Sequence, residues 1–215
     1  MPAGIVHSET QRRGISKPEK MLKFGDWINR KRHNRGFGIQ SPSAFFFITE
    51  VLRERLPYYA YRHLDRSVER RGGMSVKHAR ELFRITNYMQ PCNCISIASD
   101  AAGEAMKAAR PSVACHMLEG TGTEEFAKCI ERCGSIGMLY IAECPCRNAI
   151  LENALRHTGD RSVIVIEGIH KDKATRHWWQ GIIENPKTIV TYDMYSYGVL
   201  FFDKEKKKQH YKLKR

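Results

Sequence analysis

Nothing in this chain approaches the roughly 20 consecutive apolar residues that a membrane-spanning helix requires, so a helical integral membrane protein is not the reading. Met1 to Lys20 is polar and has no apolar core of the kind that directs secretion, so the expected location is the cytoplasm. No P-loop, nucleophile elbow or His-Glu-x-x-His zinc motif occurs, which removes the commonest local signs of nucleotide hydrolysis, serine-dependent acyl transfer and metalloprotease chemistry. The seven cysteines, an odd number scattered through apolar stretches, read as reduced thiols and not as a disulfide framework. Cys92-Asn93-Cys94 and Cys144-Pro145-Cys146 each separate two cysteines by a single residue. Zinc pairs use about two to four intervening residues and redox dithiols about two, so these cysteines are expected to be small buried hydrophobes, and no metal ligand set is expected.

The middle of the chain lacks an excess of either charge. The formal net charge is +13, yet residues 74–202 carry 14 basic and 14 acidic side chains. Residues 1–73 hold 15 Lys/Arg against 7 Asp/Glu, and residues 203–215 hold 7 against 2. The basic flanks are therefore where an anionic partner, phosphate or lipid, would be met, against the plainer reading of a solvated surface.

The 215 residues suffice for one well-buried core with a small appendage. Residues 1–20 read as a flexible tail, and Met21 to Arg32, with Leu22, Phe24, Trp27 and Ile28 among Lys and Arg, as an amphipathic helix. A turn from Arg35 to Pro42 follows, with Ser41 a helix cap and Pro42 a first helical residue for a helix to Arg55. Pro57 to Gly73 reads as a Tyr- and Arg-rich connection, and Ser75 to Met89 as a helix, which completes a helical segment over residues 21–73 and opens a domain over 74–215. From there strands and helices alternate. The expected strands are Cys94 to Ala98, Val113 to Glu119, Gly137 to Ala142, Ser162 to Glu167, Thr188 to Asp193 and Val199 to Phe202. The expected helices are Ala101 to Arg110, Thr123 to Cys133, Arg147 to His157 and Lys171 to Glu184. Only Met194 to Gly198 joins the last two strands, too little for a crossover helix, so they form an antiparallel pair.

The first strand runs into Ser99-Asp100-Ala101-Ala102-Gly103 and a helix, and the second ends in Glu119-Gly120. A small-residue loop at a helix N-terminus, followed by an acid for ribose hydroxyls, is how a dinucleotide or S-adenosylmethionine site begins. Gly38-Ile39-Gln40-Ser41-Pro42-Ser43, Glu81 to Tyr88, Val163 to His170, Trp178-Trp179 and Gly198 to Phe202 add a second layer of likeness. On these residues the chain resembles class I S-adenosylmethionine-dependent methyltransferases, and most closely a group of small bacterial methyltransferase-like proteins with a Gly-Ile-His-Ser-Pro-Phe signature. The resemblance covers most of residues 21–215. It implies a three-layer Rossmann-like α/β fold, a mostly parallel sheet ending in an antiparallel hairpin, S-adenosylmethionine as cofactor, and methyl transfer to oxygen or nitrogen of a small acceptor.

The same resemblance exposes departures. Ser96, Ala98 and Ala102 stand where an acid and glycines are expected, so Ala98, Ser99, Asp100 and Gly103 would hold the methionine end on a crowded loop, with Glu119 on the ribose. Glu143, Glu167 and His170 would face the acceptor, the two glutamates replacing expected aspartates. Between Cys133 and Gly137 a strand and a helix are missing, which predicts a six-stranded sheet without one edge strand. Two other functions stand beside methyl transfer. One is a catalytically inactive binding or scaffolding module, a pseudoenzyme, for which the degraded loop speaks. The other is a nucleic-acid-associated protein using the basic flanks. Self-association is left open.

Overall fold

The computed structural model describes residues 38–120 and 122–213. The expected tail, the helix from Met21 to Arg32, the start of the turn at Arg35 to Phe37, and Thr121 lie outside the described residues. Seven α-helices and seven strands follow in order: α1 (Pro42–Phe46), α2 (Tyr61–Arg71), α3 (Val76–Met89), β1 (Asn93–Ile97), α4 (Asp100–Ala109), β2 (Ala114–Leu118), α5 (Thr123–Cys133), β3 (Ile136–Ile141), α6 (Arg147–Ala154), β4 (Thr158–Glu167), α7 (Lys173–Glu184), β5 (Val190–Asp193), β6 (Tyr197–Phe201) and β7 (Gln209–Lys212). No helix among the described residues is long and apolar enough to cross a membrane.

One sheet holds all seven strands in the order β2-β1-β3-β4-β6-β5-β7. β6 alone runs against its neighbours, antiparallel to both β4 and β5. The central strands are buried from end to end, as expected for parallel strands covered on both faces. Their side chains alternate between two cores. Cys94, Met138, Tyr140, Val163, Val165 and Val199 turn towards α1 to α4. Ile95, Ile97, Leu139, Ile141, Ile164, Ile166 and Leu200 turn towards α5, α6 and α7.

Short polar side chains place the helix starts. Ser41 accepts from Ala44 N with Pro42 in the first turn, and Ser75 accepts from His78 N at 3.2 Å. Asp172 and Thr175 close a capping box at α7, which holds the Asp172 carboxyl below its ordinary range through the Thr175 backbone N–H. Of the adjacent tryptophans, Trp179 is buried over Gly198, while Trp178 stays nearer the surface with the Arg147 guanidinium 4.5 Å from its ring centroid.

Three expectations are corrected. The helix expected from Ser43 to Arg55 is a short α1 that widens into a π-helical turn over Phe47–Leu52. The stretch that reads as a connection contains α2, whose Tyr61, Leu64, Ser67 and Val68 form a narrow buried stripe between charged residues. Arginines on the other positions dilute that periodicity, which is why the pattern resembles a linker. The sheet has seven strands, not six, because the Lys-rich end supplies β7, parallel to β5. Only Tyr211 in β7 and Leu213 just beyond it are buried, an inward alternation masked by lysines suited to an edge strand. At the opposite edge β2 is outermost, and Gly134-Ser135 alone joins α5 to β3, so the strand and helix expected to be missing there are missing.

Candidate active site

After β2 the chain returns to the other side of β1 to form β3, so the strand order reverses between β1 and β3. Loops diverge at such a point and leave a crevice at the carboxyl ends of the strands. A cleft of about 500 Å³ lies there. Its walls are Arg71 to Gly73 after α2, Ala98 to Ala101 between β1 and α4, Met117 to Glu119 at the end of β2, Ala142 after β3 and Glu167 closing β4.

The β1–α4 turn is braced from within. The buried Ser96 hydroxyl donates to Ser99 O at 2.5 Å, and Ser99 Oγ accepts from Ala102 N at 3.2 Å, capping α4. Ala98 sits at φ +57°, a left-handed conformation that costs a residue with a β-carbon about 1 kcal/mol. Its backbone N–H donates to Leu118 O at 2.8 Å, which ties the turn to the end of β2. Asp100 is exposed and pairs with Arg71 at 3.4 Å; the same guanidinium reaches Glu104 at 3.3 Å. Glu119 is exposed at the mouth of the cleft.

Of the residues expected to hold a cofactor, Ala98, Ser99, Asp100 and Glu119 therefore line one cleft. Gly103 does not. It lies inside the α4–β2 contact, where a β-carbon would come within 2.7 Å of Met117 Cγ, so its lack of a side chain serves helix-to-strand packing.

Glu143, Glu167 and His170 all follow strands or turns at the carboxyl edge, but they are differently engaged. Glu167 faces the cleft. Glu143 lies across Gly168, at φ +72°, and forms an ion pair with Lys171. His170 Nε2 is 2.7 Å from Asp193 Oδ2, and its ring stacks on Tyr195 with centroids 5.2 Å apart. Asp193 is almost wholly buried and its other oxygen accepts from Tyr195 N at 2.8 Å. Arg71, Lys171 and Asp193 thus shape the site although no motif in the sequence singles them out. Only the position of Arg71 before Gly72-Gly73 and of Asp193 at a strand end hints at them.

The tyrosines near the last hairpin divide in the same way. Tyr192 is buried against Tyr211, and burial pushes its hydroxyl far above its ordinary range. Tyr197 donates to the buried Glu81 at 2.8 Å and stacks on His78. Only Tyr195 is exposed. The two cysteine pairs lie at opposite ends of the strands, Cys92 and Cys94 at the start of β1 and Cys144 and Cys146 after the end of β3, so they do not cluster. Cys144 and Cys146 stand 3.8 Å apart, and burial pushes the Cys144 thiol up to about 11.

No known protein-family profile matches this chain, and no curated protein matches it in sequence. Solved structures do match its fold. A protein of Klebsiella pneumoniae classed as an O-methyltransferase superposes with a TM-score of 0.50, covering 72% of this chain and 94% of its own at 10% identity. The SAH-bound methyltransferase PaMTH1 of Podospora anserina gives a TM-score of 0.47 over 77% of this chain and 97% of its own, at 7% identity. An O-methyltransferase of Bacillus cereus in complex with SAH gives 0.45 over 71% and 96%, at 11% identity. The chain has the Rossmann-like fold of class I methyltransferases, the fold that its motifs resemble.

Proposed function

We propose that the cleft at the ends of β1, β2, β3 and β4 binds S-adenosylmethionine and that the protein methylates oxygen or nitrogen of a small acceptor. The supporting observation is that Ser99, Asp100, Glu119 and Glu167 come from three separate strand ends and line one cleft at the point where strand order reverses.

The residues present fit this cofactor at its ribose end, where the Glu119 carboxylate can accept two hydroxyl hydrogen bonds. At the methionine end the left-handed turn expected of glycine is kept, though by Ala98, so the backbone path survives while a methyl group narrows the approach. S-adenosylmethionine supplies a methyl group already activated for transfer. The protein's share is then geometric: Ser99 and Asp100 orient one end, Glu119 the other, and Glu167 faces the acceptor side. The proton of the acceptor's hydroxyl or amine would pass to solvent, so what these residues would chiefly supply is placement of the acceptor against the bound cofactor. Arg71 lines the same cleft and pairs with Asp100 across it.

Calorimetric titration with S-adenosylmethionine and S-adenosylhomocysteine tests the reading. Binding in the micromolar range is expected, and Glu119→Ala should lose it while leaving the melting temperature within about 2 °C, because an exposed acid contributes little to folding. Failure of both ligands to bind sinks the proposal.

A second reading, a binding module without catalysis, has its own observation. Glu143 is paired with Lys171 and His170 with Asp193, so two of the three acceptor-side residues are held by partners. Tight binding of both cofactor forms with no S-adenosylhomocysteine released across a screen of phenols, amines and carboxylates favours this reading. The nucleic-acid reading draws little from the described part of the basic flanks. Lys208 Nζ donates to Glu184 O and Asn185 O at the end of α7, and Lys206 pairs with Asp203.

A further inference from the structure

The outermost strand carries chemistry that the cleft does not use. Along β2, Cys115 and Met117 turn to α4, where the Cys115 thiol lies 3.5 Å from Gly103 O and Met117 covers Gly103. Alternation then sends His116 and Leu118 to the opposite face, towards α5. On α5, Cys129 and Cys133 are four residues apart and so lie on one side of the helix, a turn from each other. Strand and helix bring the three together: a ring nitrogen of His116 and the two sulfur atoms all lie within 4.8 Å of one another. In a tetrahedral zinc site with bonds of about 2.0–2.3 Å, neighbouring donor atoms are about 3.5–4 Å apart, so shifts of about 1 Å within the side chains complete the set. Among the described residues no hydrogen bond holds the His116 ring. Cys129 is fully buried, whereas Cys133 and His116 are half-buried, which gives an ion a way in from the sheet edge.

We propose that His116, Cys129 and Cys133 form a binding site for a thiophilic divalent cation, zinc above all, which staples the edge strand β2 to α5. Two thiolates and an imidazole are a borderline-soft donor set that selects zinc over magnesium or calcium. Binding breaks two S–H bonds and forms two Zn–S bonds and one Zn–N bond; two protons pass to solvent and no atom changes oxidation state. A water completes the tetrahedron from the open side. The location gives the ion a structural purpose. β2 has no strand beyond it, and the link from α5 to β3 is only Gly134-Ser135, so a metal bridge would secure the edge where neighbouring elements are absent. Cysteines spaced i, i+4 are the sequence sign; the third ligand is remote from them and only the fold supplies it.

The test uses the reduced, full-length protein freed of metal with a chelator and titrated with Co²⁺, which reports tetrahedral thiolate ligation through its visible and near-ultraviolet bands. One Co²⁺ per chain with thiolate charge-transfer absorption, displaced by one Zn²⁺, is expected, and affinity should rise with pH because protons are released. His116→Gln and Cys133→Ser should each weaken binding at least about a hundredfold, while Cys144→Ser should leave it unchanged. Far-ultraviolet circular dichroism of the metal-free variants confirms that they are folded. Absence of thiolate bands in the wild type, or bands that survive His116→Gln and Cys133→Ser or disappear with Cys144→Ser, would overturn the proposal.

Discussion

The two halves of the sheet's carboxyl edge are built on different terms. On the β1–β2 side, small residues, an exposed Glu119 and the Ala98 turn surround open space. From the loop after β3 onwards to β4, β5 and β6, polar groups are closed on one another: Glu143 with Lys171, His170 with Asp193, Tyr197 with Glu81. Behind the second half, buried Arg84 ties the π-helical turn to α3. Its Nε donates to Val51 O at 2.7 Å, its Nη2 to Leu52 O at 2.8 Å and its Nη1 to Tyr61 OH at 3.2 Å. The carbonyls at the end of a helix need such partners, since nothing within the helix satisfies them. A ligand site needs side chains available to the ligand, whereas a scaffold needs them satisfied internally. The contrast therefore separates a half suited to binding from a half suited to holding shape.

The largest effect should come from breaking the holding half. Arg84→Ala leaves two buried carbonyls and the Tyr61 hydroxyl without their donor and should cost about 3 kcal/mol in urea unfolding. A loss under about 1 kcal/mol would mean that this network is not structural. A smaller effect appears with pH. Burial pushes the Cys94 thiol up to about 12 from an ordinary value near 9. The unfolded thiol ionises first, so its contribution is complete below pH 9 and falls as pH rises from 9 towards 12. Cys94→Ala should make that fall in stability with pH shallower, as read by urea unfolding at a series of pH values. The smallest effect on folding, and the one that sharpens the comparison most, belongs to Arg71→Ala. Its ion pairs with Asp100 and Glu104 are largely solvated, so stability should change by under about 0.5 kcal/mol. If Arg71 closes the mouth of the cleft, association and dissociation rates for S-adenosylmethionine should both rise in stopped-flow measurements.

Much of the fold is legible in the residue pattern alone. The helix starts at Ser41-Pro42 and Ser75 and the extent of α5 from Thr123 to Cys133 agree with the pattern, as does the antiparallel pairing of β5 and β6. What escapes it shares a cause. α2 and β7 bury only alternate or widely spaced residues among lysines and arginines, so their apolar signal is thin although their packing is sound. In the candidate site, Ala98, Ser99, Asp100 and Glu119 are legible because each ends a strand or begins a helix. The place of Gly103 against Met117 is not, since helix-to-strand contact leaves no mark on local sequence.

Sequence by itself determined the alternation of strands and helices, the caps, and the loss of the strand beyond β2, because these depend on neighbours a few residues away. Tertiary structure alone decided that the Lys-rich end would supply a seventh strand, that His170 would bond Asp193 while Glu143 paired with Lys171, and that His116 would meet Cys129 and Cys133. Each of those outcomes depends on the order in which strands lie side by side, and that order is set by burial of the whole sheet between two helical layers.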